Sequence, residues 1–196
     1  MSKAYDKAKW MFLQSVMLKM EFRVNWVNLV IGYLKTVALS FVINGEPCGW
    51  VQLRTGLRQY DPILPYLFLF CVEALSHLII KAAETGWISG HKVYYLAPSI
   101  SHLLFADDSL IFCKVNRDQV MVVKEILSDY ECALGQQVNY DKTIVVYSCG
   151  NRQSYKDEVL ITLDIRKVLS YEKYLGLLMH IGHSTKKKLF PYQGSS

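Results

Sequence analysis

The sequence contains no C-x-x-C pair. Its five cysteines, Cys48, Cys71, Cys113, Cys132 and Cys149, are odd in number and scattered. That argues against the common zinc frames and against a fully paired disulfide framework. Cysteines in such apolar surroundings as Phe70-Cys71-Val72 and Phe112-Cys113-Lys114 read as small core hydrophobes of an intracellular, reducing compartment, nucleus or cytoplasm. There is no internal repeat and no low-complexity tract, so a solenoid is not expected. The opening Met1-Ser2-Lys3-Ala4-Tyr5-Asp6 has no apolar run after its charges, so this stretch does not read as a secretory leader. The longest apolar stretches, residues 63–72 and 75–80, are interrupted by Glu73 and Ser76-His77 and fall short of a bilayer span. No membrane partner is therefore expected.

What is present fits an ordinary folded domain or part of a larger one. The 196 residues are 52% hydrophobic and 20% charged, which excludes a disordered chain, and the formal net charge is +5. A modest basic excess suits a nucleic-acid surface without establishing one.

Apolar periodicity predicts a helix over residues 8–20 and a second over 26–37, with Asn25 as its cap. Residues 41–43 and 48–53 flank Asn44-Gly45 and predict a hairpin, with Glu46-Pro47 pointing to a longer loop. A loop over 55–65 leads into a long buried helix over 66–84, closed by Gly86 and Gly90. A strand is expected near 92–95. Residues 117–134 form an amphipathic helix that stops at Gly135. A strand over 142–147, a weaker helix over 157–163 and a strand over 174–181 complete the pattern. Helices alternating with antiparallel hairpins argue an α+β fold. Residues 1–182 read as one domain and 183–196 as a basic, polar tail.

The most informative run is Leu103-Leu104-Phe105-Ala106-Asp107-Asp108-Ser109-Leu110-Ile111-Phe112. Two adjacent carboxylates break an apolar stretch, which is costly unless they are paired, hydrogen-bonded or metal-bound. The flanks read as two short strands, so the acidic pair falls at a hairpin tip. Two hard oxygen ligands on rigid strands suit Mg²⁺. A tight turn whose aspartates cap backbone N–H groups explains the same string equally well.

The surrounding blocks bring in a family. Gly56-Leu57-Arg58-Gln59-Tyr60-Asp61-Pro62, followed by Pro65-Tyr66-Leu67-Phe68, resembles the "G-L-R-Q-G-D-P-L-S-P-Y-L-F" segment of non-LTR (LINE-type) retrotransposon reverse transcriptases, especially plant ones. Phe105-Ala106-Asp107-Asp108 resembles their "F-A-D-D". Gly135-Gln136-Gln137-Val138-Asn139-Tyr140-Asp141-Lys142 resembles "S-G-Q-x-x-N-x-x-K-S", and Lys173-Tyr174-Leu175-Gly176 resembles "K-Y-L-G". Ser2 to Trp10 resembles "S-K-A-Y-D-R-V-E-W". These ordered blocks cover nearly the whole chain.

The resemblance implies a palm-like antiparallel sheet with packed helices and part of the fingers. It also implies RNA template, DNA primer and dNTPs as partners, with two Mg²⁺ ions as cofactors. Asp107 and Asp108 match the catalytic, metal-binding pair. Tyr5 matches an aromatic position under the incoming sugar, and a partly buried aromatic opening a helix is the competing reading. Arg58 and Gln59 match a loop near the incoming nucleotide, or else form a solvated loop. Lys142 matches a lysine facing the leaving pyrophosphate, or is a surface lysine at a strand end. Tyr174, Leu175 and Gly176 match a primer-contacting strand, or an ordinary core strand. Lys186 to Lys188 and the His180/His183 pair read as a solvated tail and a weak metal motif.

The chain also departs from the pattern. Tyr60 stands where the family has glycine, and Leu64 where it has serine. The first catalytic aspartate of the pattern lies directly before the position of Met1, so the fold is expected to be incomplete at its N-terminal edge and residues 1–196 alone to be inactive. The competing readings are a catalytically dead remnant with nonspecific nucleic-acid binding, and an unrelated α+β interaction domain with a chance Asp-Asp turn.

Overall fold

In the computed structural model, the described residues are 8–53, 55–57, 61–105, 108–135, 137–140, 143–148 and 152–165, with the backbone of 173–174 and 177–178. Tyr5, Arg58, Gln59, Asp107, Lys142, Leu175, Gly176, His180, His183 and the basic tail lie outside them.

Two helices open the fold. α1 spans Trp10–Lys19 and α2 spans Val24–Lys35. α1 buries Leu13 and Met17; α2 buries Val27, Val30, Ile31 and Leu34, the stripe that 3.6-residue periodicity requires. Asn25 is not the cap of α2. The helix begins one residue before it, with Arg23 at the N-cap position and no capping side chain.

β1 (Ala38–Ile43) and β2 (Glu46–Gln52) form an antiparallel hairpin. Ile43 pairs directly with Glu46, so the loop is the two residues Asn44-Gly45 and not a longer one. Both have positive φ, 53° and 86°, the twist that a tight hairpin between right-handed strands requires. Pro47 sits opposite Val42, which a two-stranded ribbon tolerates because every strand is an edge.

α3 (Leu64–Glu84) is one continuous helix of 21 residues, with Pro65 in its first turn. Glu73 and Ser76-His77 do not interrupt it. The helix is therefore long and apolar enough to cross a membrane by length and composition, contrary to the reading of two broken stretches. It is also not buried all round. Leu64, Leu67, Phe68, Cys71, Leu75, Ile79 and Ala82 face the core, whereas Tyr66 and Leu69 are exposed.

β3 (His102–Phe105) and β4 (Asp108–Ile111) form the acidic hairpin. α4 (Arg117–Leu134) then follows with the expected bounds. The Asn116 side chain accepts from Gln119 N–H at its start, and Gly135 takes the left-handed conformation (φ 83°) that closes its end. α5 spans Gln153–Leu163 and is longer than its weak pattern predicts. β5 (Lys173–Tyr174) and β6 (Leu177–Leu178) are a short antiparallel pair in place of one long strand.

Two other expected strands are absent among the described residues. The stretch 92–95 is irregular, and only His91 and Ile100 beside it form a bridge. Residues 143–148 hold a single bridge residue, Val145. The described strands make three separate two-stranded antiparallel sheets, and with the helices they give an α+β fold.

The core gathers α1, α2, α3 and α4. Leu13, Met17, Val27, Leu67, Cys71, Leu75, Ile79, Tyr130 and Leu134 are all within 2% of fully buried. Phe12 and Tyr130 meet edge to face at 6.1 Å, and Phe22 stacks on Trp26 at 4.9 Å. Cys71 is a core residue as its surroundings predict, and Cys113 is half-buried, but Cys48 and Cys132 are exposed.

Candidate functional site

The acidic hairpin is built by register. His102 pairs with Ile111, Leu103 with Leu110, Leu104 with Ser109 and Phe105 with Asp108. Opposed residues of a ladder share a face, and successive residues alternate. His102, Leu104 and Ile111 therefore fall on one face, and Leu104 and Ile111 pack against the core. Asp108 falls on the other face with Phe105, and both are exposed. Residues 106 and 107, which join the strands in sequence, lie outside the described residues. The carboxylate of Asp108 thus needs no buried partner, because the pleat turns it away from α3.

The loop before α3 is fixed at both ends. Gly56 N–H donates to the Ala8 carbonyl at 2.9 Å, and Trp10 Nε1–H donates to the Gly56 carbonyl at 2.8 Å. Leu57 is buried beside them at 3% exposure. At the other end, Tyr33 Oη–H donates to Asp61 Oδ2 at 2.7 Å, and Asp61 Oδ1 accepts from Ile63 N–H at 3.0 Å. Arg58 and Gln59 are thereby bracketed by one anchor on α1 and another on α2. The sequence marks Asp61 as part of a motif but not as this anchor. The Asp-Pro-Ile string is compatible with an Asx turn, which is the signal that could have found it.

The segment after α4 folds back on that helix. Lys9 N–H donates to the Leu134 carbonyl at 3.0 Å, and Lys9 Nζ to the Cys132 carbonyl at 2.8 Å. Glu131 Oε1 accepts from Val138 N–H, and Thr143 Oγ1–H donates to the Asn139 carbonyl at 2.8 Å. These bonds fix both flanks of the stretch that carries Lys142. Of the primer-contact candidates, Tyr174 is in β5, opposite Leu177.

Among the described residues no three His, Cys, Asp or Glu side chains converge into a metal-sized group. Asp108 is the one described member of the acidic pair, and a single carboxylate is not a complete donor set for Mg²⁺, which prefers octahedral oxygen coordination.

An α+β unit with an acidic hairpin packed on a long helix is the class defined by this geometry. Residues 1–179 match the family model described as "Reverse transcriptase (RNA-dependent DNA polymerase)", and the chain belongs to that family. It is also similar to an uncharacterized mitochondrial protein of Arabidopsis thaliana, at 52% identity over 71 residues. That alignment covers 36% of this chain and 58% of the relative.

Proposed function

We propose that the chain is the palm region, with part of the fingers, of a LINE-type retrotransposon reverse transcriptase. It would contribute to copying RNA into DNA from a primer terminus with dNTPs. The observation that carries the reading is the β3–β4 register, which puts Asp108 on the exposed face at the start of β4. Asp107 and Asp108 are the residues that would hold Mg²⁺, which when bound activates the primer 3′-hydroxyl and stabilises the leaving pyrophosphate. Arg58 and Gln59 would meet the template and incoming nucleotide, because guanidinium and amide groups suit phosphate and base edges. Tyr5 would lie under the sugar, Lys142 would face pyrophosphate, and Tyr174, Leu175 and Gly176 would line the primer.

A second reading is nucleic-acid binding without catalysis, which the +5 net charge favours. Primer extension on an RNA template with Mg²⁺ separates the two. Templated incorporation that is abolished in D107A establishes the polymerase reading. No incorporation, with binding that weakens steeply as salt rises, establishes the second. Absence of both activities overturns each of them.

A further inference from the structure

β3–β4 consists of two four-residue strands, and an isolated ribbon of that size is at best marginally stable in water. What holds it to α3 is its inner face. Leu104 and Ile111 supply the apolar part, and His102 lies on the same face, as does the exposed Ser109. Its imidazole is engaged at both nitrogens. Nε2 lies 2.9 Å from Ser76 Oγ of α3, and Nδ1 lies 2.9 Å from Ser101 Oγ.

A neutral imidazole donates at one nitrogen and accepts at the other. Two serine hydroxyls complete that pattern, one accepting and one donating. A protonated ring donates at both nitrogens, so the donating serine must turn its hydrogen away from the ring in half-buried surroundings. Among the described residues, α3 and β4 pack against β3. From α3 the charged group facing His102 is Glu73, which favours the protonated ring; from β4 the opposed side chain is the apolar Ile111. Burial is the larger influence and holds the His102 pKa below its ordinary 6.5.

We propose that Ser76 and His102 are positioning residues, a hydrogen-bonded latch that fixes the acidic hairpin on α3 while His102 is neutral and loosens it when the ring is protonated. The polymerase reading gives this latch its purpose, but its existence rests on the contacts alone. Because the folded-state pKa lies below 6.5, the unfolded chain binds the extra proton first as pH falls. The contribution is whole above pH 6.5 and is lost as pH falls through the folded value.

Hydrogen exchange on the full 196-residue chain tests it, comparing amides of 102–105 and 108–111 with those of α4 between pH 7.5 and 5. After correction for intrinsic exchange, the hairpin is expected to lose about tenfold in protection on acidification, the worth of one hydrogen bond, while α4 stays level. S76A is expected to show lower protection already at pH 7 and a smaller further loss on acidification. H102Q, which reaches Ser76 but carries no titrating ring, is expected to keep protection across the range. Equal loss in hairpin and α4, or an S76A profile matching the parent, overturns the latch. The readout needs no polymerase activity, so a failure of primer extension with the latch intact bears only on the proposed function.

Discussion

Tyr33 on α2 donates its hydroxyl to Asp61 Oδ2 at 2.7 Å, tying the far end of the Arg58-Gln59 loop to a helix 28 residues away in sequence. The same carboxylate accepts from Ile63 N–H, immediately before α3 begins at Leu64. One side chain thus sets both the loop exit and the helix entry. Tyr33→Phe is expected to cost only about 0.5–1 kcal/mol of global stability, because the pair is exposed. The effect on the loop should be larger: trypsin cleavage after Arg58 is expected to accelerate several-fold. Limited proteolysis followed by mass spectrometry reads it, and an unchanged cleavage rate would show that Tyr33 does not restrain the loop.

Gly135 closes α4 with φ 83° and donates its N–H to the Glu131 carbonyl at 2.8 Å. The adjacent Leu134 carbonyl accepts from Lys9, so this helix end also holds the start of α1. An L-residue in the left-handed region costs about 1–2 kcal/mol. Gly135→Ala is therefore expected to lower stability by that amount, measured by urea unfolding. Gly135→Asn should recover part of it, since asparagine tolerates this conformation. Equal losses in both variants would point to crowding instead of backbone strain.

Thiol reactivity follows burial. Cys71 is fully buried in the core, and desolvation pushes its thiol up to about 12, whereas Cys48 and Cys132 are exposed. The thiolate is the reactive form. Iodoacetamide at pH 8 is expected to label Cys48 and Cys132 within minutes and Cys71 only after denaturant is added. Peptide mapping checks this, and rapid native labelling of Cys71 would mean that the core opens there.

The parts legible in sequence are those where local pattern and tertiary packing agree. α4 keeps its bounds because its apolar stripe is framed by Asn116 and Gly135, two residues with strong end preferences. β1–β2 is set by Asn44-Gly45, and the pull of Glu46-Pro47 toward a longer loop fails because an edge strand accepts proline. The stretch Lys92-Val93-Tyr94-Tyr95 has strand composition but no ladder, since only His91 and Ile100 pair, and β propensity without a partner does not make a strand. Asn25 fails as a cap because helical geometry already begins at Val24. In the site, Asp108 follows from hairpin pattern and register. Ser76, His102, Tyr33 and Asp61 do not, because their contacts join residues 26 and 28 positions apart that no local rule connects.

The strongest pH dependence is expected on the alkaline side. Tyr130 Oη–H donates to the Cys71 carbonyl at 3.1 Å inside the core, and burial raises the pKa of both the Tyr130 phenol and the Cys71 thiol. Their ordinary values are 10.0 and 9.0, so above pH 9 the unfolded chain releases protons that the folded chain retains. The native state then binds more protons, and the slope of stability against pH is negative. Stability contributed by the neutral forms is whole below pH 9 and declines as pH climbs toward the folded values. Urea unfolding at pH 7, 9 and 10.5 is expected to show that decline. Cys71→Ala should flatten its first part, from pH 9 to 10, while lowering stability at pH 7 through lost packing. Tyr130→Phe should flatten the part above pH 10 and cost about 0.5–1.5 kcal/mol at pH 7 for the lost hydrogen bond. If both variants decline with the same alkaline slope as the parent chain, other groups govern the transition and these two are not its cause.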